Sequence, residues 1–421
     1  MTAVFDEVRR SASGALPALG RETGDDDALA RAFLGTLAEP GDGVLGALVE
    51  AAGARHAAEL LADRVDAAHL ARALEAGGVR VESAALHAAL RRWSPRIDPS
   101  AFARAIHQAV RVSARLIVPG DPEWPDPVAD LGVHAPLALW VRGDAGLLAA
   151  GDQAIALVGA RAATGYGEHV AVESAAGLVD RGFAIVSGGA YGIDGMAHRS
   201  ALRSDGATIA YLAGGVDRFY PLGHESLLSR IVERGAVVSE LPCGEPPTKW
   251  RFLQRNRLIA ASTAATIVLE AGHRSGSINT AGHAAHLGRP LGAVPGPVTS
   301  PASAGCHRLL REYGAVCVVD AEQMAELARG ELPEAVRFGP RGAASAAPRR
   351  SGEDPPGVWS SPDGVRVRDA LSARAPRSVE EVARRAGLDP RSAMSVLGSL
   401  EAEGRALRHA AGWVSPARTG R

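Results

Sequence analysis

Lysine is almost missing from this chain of 421 residues: Lys249 stands alone among 46 basic side chains, the rest being arginine, a bias expected of GC-rich coding. Cysteine is nearly absent too. Cys243, Cys306 and Cys317 are too few and too scattered for a disulfide framework or a zinc site. No apolar run approaches the roughly 18 residues needed to cross a bilayer, and Met1 to Arg10 is charged with no apolar stretch behind it. A reducing cytoplasmic setting with no membrane partner is the expectation. Net charge is also lacking. At −1 the chain creates no attractive field of its own, so a polyanionic partner would have to be held by a local basic patch. What is present is core material: 46% hydrophobic and 22% charged residues exclude disorder throughout and suit a chain of two to three domains.

Residues from 26 to about 115 are rich in Ala, Leu and Arg at helical spacing, as in His69 to Leu74, and lead to a small helical domain placed at 1–115. Residues 116 to 150 read as a lead-in to a domain placed at 116–330, and from 154 onward short apolar runs alternate with helical patterns: Ala154 to Gly159, Phe183 to Val186, Thr208 to Ala213, Val237 to Ser239, Thr266 to Glu270, Leu291 to Val294 and Val316 to Val319. Strands covered on both faces read as such continuous runs, so an α/β, doubly wound, mainly parallel sheet is predicted, with ligands at the carboxyl ends of its strands. Residues 331–358 lack periodicity and read as a linker. Over 359–421, the capping box at Ser378 to Glu381, the helical pattern from Pro390 to Glu403 and the hairpin-like Ala406 to Val414 predict a winged helix-turn-helix. Between Pro376 and Val414 six Arg face five Asp/Glu, which suits protein contact as well as it suits a DNA groove.

The chemistry gathers at the predicted strand ends. Ser187-Gly188-Gly189-Ala190-Tyr191-Gly192-Ile193-Asp194 joins a strand to a helix expected over Gly195 to Ser204. Glycines let backbone N–H groups turn towards an anionic oxygen while the helix points its positive end there. A phosphate cradle is the functional reading, and plain packing geometry is the alternative. Asp194 reads as the N-cap of that helix. Gly159-Ala160-Arg161 ends the preceding strand and brings a bidentate phosphate donor beside the loop, without the G-x-G-x-x-G of dinucleotide binders. Asp217, after the next strand, either braces the cradle or touches ligand. Lys249-Trp250-Arg251-Phe252-Leu253-Gln254-Arg255-Asn256-Arg257 carries four cations and no acid, with aromatics between them. Cations that track phosphates and an aromatic face that takes an unpaired base are what single-stranded nucleic acid needs, although Trp250 and Phe252 would serve equally in a core. Ser275-Gly276-Ser277 repeats the strand, loop, helix scheme after Glu270. His198, His224, His273, His283 and His286 have no zinc-like spacing with acids, and no nucleophile elbow occurs, so no metal and no catalytic group is assigned.

Taken in order, Gly159-Ala160-Arg161, Ser187 to Asp194 with Ala197-His198, Gly215-Val216-Asp217 with Tyr220-Pro221, Ser239-Glu240 with Pro242, Arg255-Asn256-Arg257, Ser275-Gly276-Ser277 and Pro295-Gly296 resemble the DNA-processing protein A family, DprA/Smf, over about residues 116 to 320. The resemblance implies a Rossmann-like domain that binds single-stranded DNA, forms a homodimer and loads the RecA recombinase during natural transformation, with no enzymatic activity and no cofactor. It implies a helical, sterile-alpha-motif-like domain before the sheet and a winged helix after it. Its DNA-binding positions fall on Gly159, Arg161, Ser187, Gly188, Gly189, Ala190, Gly192, Lys249, Phe252, Arg255, Asn256, Arg257, Ser275 and Gly276, with Asp194, Asp217 and Glu270 supporting the pocket. Three positions depart from the family pattern: Leu253, His307 and the pair Gly223-His224.

Two other functions compete. Related folds hydrolyse nucleoside monophosphates, and Arg257 with Glu270 would have to imitate their Arg/Glu pair, although the P-G-G-x-G-T-x-x-E signature is absent. A winged-helix transcription factor would read duplex DNA through the C-terminal module, against its near-neutral charge.

Overall fold

The computed structural model describes residues 3–331, 361–409 and 411–416. The first unit is helical: α1 (Ala3–Ala12), α2 (Asp26–Leu37), α3 (Gly43–Ala52), α4 (Ala54–Ala62), α5 (Ala67–Ala76), α6 (Ser83–Trp93) and α7 (Pro99–Arg111). Four of these start at an aspartate whose carboxylate accepts from first-turn amides: Asp25, Asp42, Asp66 and Asp98. The unit begins earlier than the sequence pattern showed, because Phe5 and Val8 of α1 are buried against Phe33 and its neighbours.

Nine strands follow: β1 (Arg115–Ile117), β2 (Leu139–Gly143), β3 (Ala154–Gly159), β4 (Ala184–Ser187), β5 (Thr208–Tyr211), β6 (Ala236–Ser239), β7 (Ala265–Glu270), β8 (Leu291–Ala293) and β9 (Val316–Cys317). Their order is β1-β2-β6-β5-β4-β3-β7-β8-β9, parallel from β6 to β9, with β1 and β2 antiparallel at one edge. The expected doubly wound sheet is present. Chain order reverses where β3 lies between β4 and β7, and a crevice opens at such a switch point. The helices between strands are α8 (Gly165–Val179), α9 (Ile193–Arg203), α10 (Glu225–Arg234), α11 (Lys249–Ala261), α12 (Ser277–His286), α13 (Ala304–Glu312) and α14 (Ala321–Arg329).

The helical unit does not stand apart from the sheet. Its core runs on through Leu212, Val216, Leu227, Leu228 and Ile231, all buried. At about 1.5–3 kcal/mol for each large apolar side chain taken from water, this seam fixes the two units together. An ionic joint reinforces it: Glu39, just past α2, accepts from Arg96 at 2.7 Å and from Arg251 of α11 at 2.9 and 3.0 Å.

The C-terminal unit holds α15 (Pro362–Ala370), α16 (Val379–Ala386), α17 (Pro390–Ala402) and the antiparallel pair β10 (Leu407–His409) and β11 (Gly412–Val414), a winged-helix arrangement around its own small core. Ser378 Oγ accepts from Glu381 N at 3.2 Å, and Gly387 closes α16 at φ 66°. The unit docks on the others: Arg366 lies over the Trp250 ring at 4.1 Å, and Arg96 donates to the Arg384 carbonyl at 2.9 Å. The linker expected over 331–358 lies, from residue 332 onward, outside the described residues.

Candidate nucleic-acid interface

A cleft of about 1030 Å³ opens at the carboxyl ends of β3, β4 and β7, at the switch point. Gly159, Arg161, Ala190, Lys249, Phe252, Arg255, Asn256, Ser275 and Gly276 line it, together with Asp194. Segments more than a hundred residues apart in the chain thus meet on one surface.

The glycine loop is built differently from a cradle with free amides. Asp194 is not an N-cap; α9 begins one residue before it, with Gly192 at the cap position. From inside the first turn its carboxylate accepts from Gly188 N at 3.2 Å and Ala190 N at 3.3 Å, so these two amides already hold an anion. Ser187 is buried and donates to the Leu157 carbonyl at 2.6 Å. Ser187, Gly188, Gly189 and Gly192 therefore shape the wall without lining the cleft, and Ala190 is the loop residue that reaches it. Gly192 is required by space as well as by φ of 74°, since a Cβ there would meet the Ala160 carbonyl at 2.2 Å. The Gly223-His224 departure acts as a strut: His224 Nδ1 lies 3.0 Å from the Gly189 carbonyl, and Gly223 N donates to the Tyr191 hydroxyl at 3.3 Å.

Helix α11 is capped by Thr248, whose hydroxyl accepts from Arg251 N. Its cations face four ways. Lys249 is exposed at the cleft mouth. Arg251 is buried and ion-paired with Glu39 and Glu245. Arg257, 3% exposed, donates to both oxygens of Glu240 at 2.7 and 2.8 Å, and so points away from the cleft. Arg255 is buried at the cleft floor, donating to the Gly188 carbonyl at 2.8 Å and to the Tyr211 carbonyl. Burial draws its guanidinium down to about 10, opposed by the Asp194 charge and assisted by Arg161. Burial likewise raises Asp194, against the pull of Arg255 and the two loop amides. The apparent cation stripe of the sequence is mostly internal wiring, and the acids that pair with Arg251 and Arg257 all lie outside the segment, Glu240 and Glu245 shortly before it and Glu39 far from it.

What remains for a ligand is compact. Arg161 is exposed, with its guanidinium over the Phe252 ring at 5.0 Å; Arg255 is 5.8 Å from the same ring, and Tyr220 packs beside it at 5.5 Å. Asn256 donates to Asn279 Oδ1 at 3.1 Å, which ties α11 to α12 next to Ser275 and Gly276. Among the described residues the cleft carries Arg161, Lys249, Arg255 and Arg274 against Asp194 and Asp369, four positive charges to two negative. Arg274, Tyr220 and Asp369 were not assigned to the site from the sequence. Arg274 was legible as an exposed cation in a strand-end loop. Asp369 was not, because it arrives on α15 of the winged helix, where its carboxylate accepts from Trp250 N at 3.2 Å.

Asp217 and Glu270 lie outside the cleft. Asp217 accepts from Gly244 N at 2.9 Å and pins a neighbouring turn. Glu270, buried at the end of β7, accepts from Thr164 N at 2.9 Å and Thr164 Oγ1 at 2.5 Å, holding the loop after β3. Arg257 and Glu270 thus bond to separate partners, and no Arg/Glu pair of the hydrolase kind is formed by them.

The family model described as DNA recombination-mediator protein A matches residues 115–329, and the DprA winged helix domain matches 346–412. A DNA processing protein DprA of Mycobacterium tuberculosis is 46% identical over 307 residues, covering 70% of this chain and 76% of the relative. The chain belongs to the DprA/Smf family. Another DprA relative, from Bacillus subtilis, is 37% identical over 199 residues, 47% of this chain and 65% of its own length. The X-ray structure of DprA from Streptococcus pneumoniae superposes with a TM-score of 0.55 at 29% identity, covering 70% of this chain and 95% of that one. The cleft lies within the part that the DprA family model covers, apart from Asp369.

Proposed function

We propose that this protein binds single-stranded DNA along the switch-point cleft and acts as a recombination mediator in DNA processing during natural transformation, loading RecA onto the bound strand as a homodimer and performing no catalysis of its own. The observation that carries the DNA reading is the grouping of the exposed cations Arg161 and Lys249 with Phe252 and Tyr220 at the mouth of an open cleft, over the buried charge of Arg255. Cations there can follow successive phosphates, while aromatic faces accept unpaired bases of any identity. A duplex keeps its bases stacked inside and offers these rings nothing. Family membership supports the recombination role, and the separate bonding of Arg257 and Glu270 weighs against base hydrolysis. The proposed organisation is a helical domain over 1–115, the DNA-binding sheet domain over 116–330, a linker over 331–358 and the winged helix over 359–421.

Phe252→Ala tests the cleft. The ring is half-buried on the surface of α11, so its loss should leave folding intact and weaken single-strand binding by about 1–3 kcal/mol. Circular dichroism checks the fold and fluorescence anisotropy with a labelled oligonucleotide checks the affinity. Equal affinities of mutant and wild type would remove the cleft from the binding path.

A further inference from the structure

We infer that Tyr220 is a second base-stacking surface, so that the cleft seats two consecutive unpaired bases, one on Phe252 and the next on Tyr220. The inference rests on the single-strand reading above and deepens it, giving each of the two rings a base of its own.

Phe252 is a crowded ring. It is half-buried, with the Arg161 guanidinium over it at 5.0 Å and that of Arg255 at 5.8 Å. Tyr220 is open by comparison: 47% of its surface is exposed, it lines the same cleft, and among the described residues no cation lies over its ring. An aromatic side chain left half in water beside a basic cleft is a binding surface in waiting, since among the described residues much of that face is left open. The two centroids are 5.5 Å apart and the rings are inclined at 52°. That spacing is too small for a base to slip between them, and the angle makes them adjoining walls rather than two jaws. A base lying flat on each wall would be turned from its neighbour by about the same angle, so the strand must splay between the two nucleotides. A single strand can do this at little cost, whereas paired bases cannot.

Leu222 and Tyr191 are also exposed, and the Tyr191 hydroxyl accepts from Gly223 N, near Tyr220 in the chain. Asp369 of the winged helix lines the same cleft, and its carboxylate, which accepts from Trp250 N, disfavours a phosphate beside it.

The test uses the full chain and two single-stranded oligomers of equal length, one of thymidylate and one fully abasic. Tyr220→Leu keeps apolar bulk and removes the π face; Tyr220→Phe keeps both. Tyr220→Leu is expected to bind the thymidylate oligomer about 5- to 100-fold more weakly than wild type, with Tyr220→Phe near wild type and abasic binding unchanged in all three. Unchanged thymidylate binding by Tyr220→Leu would overturn the inference while leaving the cleft reading standing. An equal loss on the abasic oligomer would also overturn it, by showing that Tyr220 only props the wall. If wild type bound both oligomers equally, base stacking in the cleft would fail altogether, and this inference with it.

Discussion

Replacing Arg255 by alanine is expected to destabilise the protein by about 3–5 kcal/mol, enough to lower the yield of folded protein sharply. The guanidinium is 6% exposed and satisfies the carbonyls of Gly188 and Tyr211 at the ends of neighbouring strands, while its charge offsets the buried carboxylate of Asp194. Without it these acceptors stay buried and unpaired, and Asp194 loses its opposing charge. The packing leaves little room for compensation, because Gly188 lies so close that a Cβ there would meet the Arg255 guanidinium at 2.5 Å. Arg255→Lys should recover only part of the loss, since one ammonium cannot reproduce a planar fork between two carbonyls. Thermal unfolding followed by circular dichroism reads the effect. A melting point within a degree or two of wild type would contradict the assigned role.

Glu39 should be nearly as sensitive. Burial, the largest influence on its carboxyl, acts to raise the pKa, yet Arg251 and Arg96 together hold it well below the usual carboxylate range. Glu39→Ala takes the shared carboxylate from Arg251, which keeps Glu245, and from part-buried Arg96, which keeps the Arg384 carbonyl, at the point where the helical unit meets α11, so the loss should fall near the lower end of about 3–5 kcal/mol. The same carboxylate gives the protein a pH dependence. A group whose folded pKa is depressed contributes stability above its ordinary value, here 4.5, and that contribution disappears as pH falls towards the folded value. His198 acts in the same direction. Burial lowers it to about 3 from an ordinary 6.5, so the unfolded chain takes up a proton below 6.5 that the folded chain refuses. Stability should thus begin to fall below pH 6.5 and fall more steeply below 4.5. Urea denaturation between pH 7 and pH 4 measures this; Glu39→Ala should start lower and lose its steep acid limb. A wild-type midpoint independent of pH across that interval would rule out both groups as sensors.

Much of the sheet was legible because strands covered on both faces cannot hide their composition: the short, mainly apolar runs Ala154 to Gly159 and Thr266 to Glu270 both fall on interior strands. The cleft followed from them, since a doubly wound sheet gathers its loops at one end. The use made of each charge was not legible. Arg251 and Arg257 stand in the same basic segment as Lys249, but their partners Glu39, Glu240 and Glu245 lie on other elements, and local composition does not report burial. Asp194 shows how fine the margin is. Placed two positions after the cap instead of at it, the carboxylate turns from satisfying its own helix to satisfying the loop before it. Tyr220 was visible within a motif, but its neighbour Phe252 is 32 residues away and only the fold brings the rings together.

The most direct measurement is the affinity for a single-stranded oligonucleotide across a salt series, made with wild type, Arg161→Ala and Lys249→Ala, and with a duplex of the same sequence as control. If the cleft follows a phosphate backbone, log K should fall linearly with log salt at a slope that implies several contacts. Each replacement should lower affinity irrespective of base sequence and flatten that slope by about 0.7, the single-strand value per neutralised phosphate. The duplex should bind more weakly at every salt concentration. Slopes unchanged in both variants, or a duplex bound as tightly as the single strand, would contradict the assignment of this cleft to single-stranded DNA.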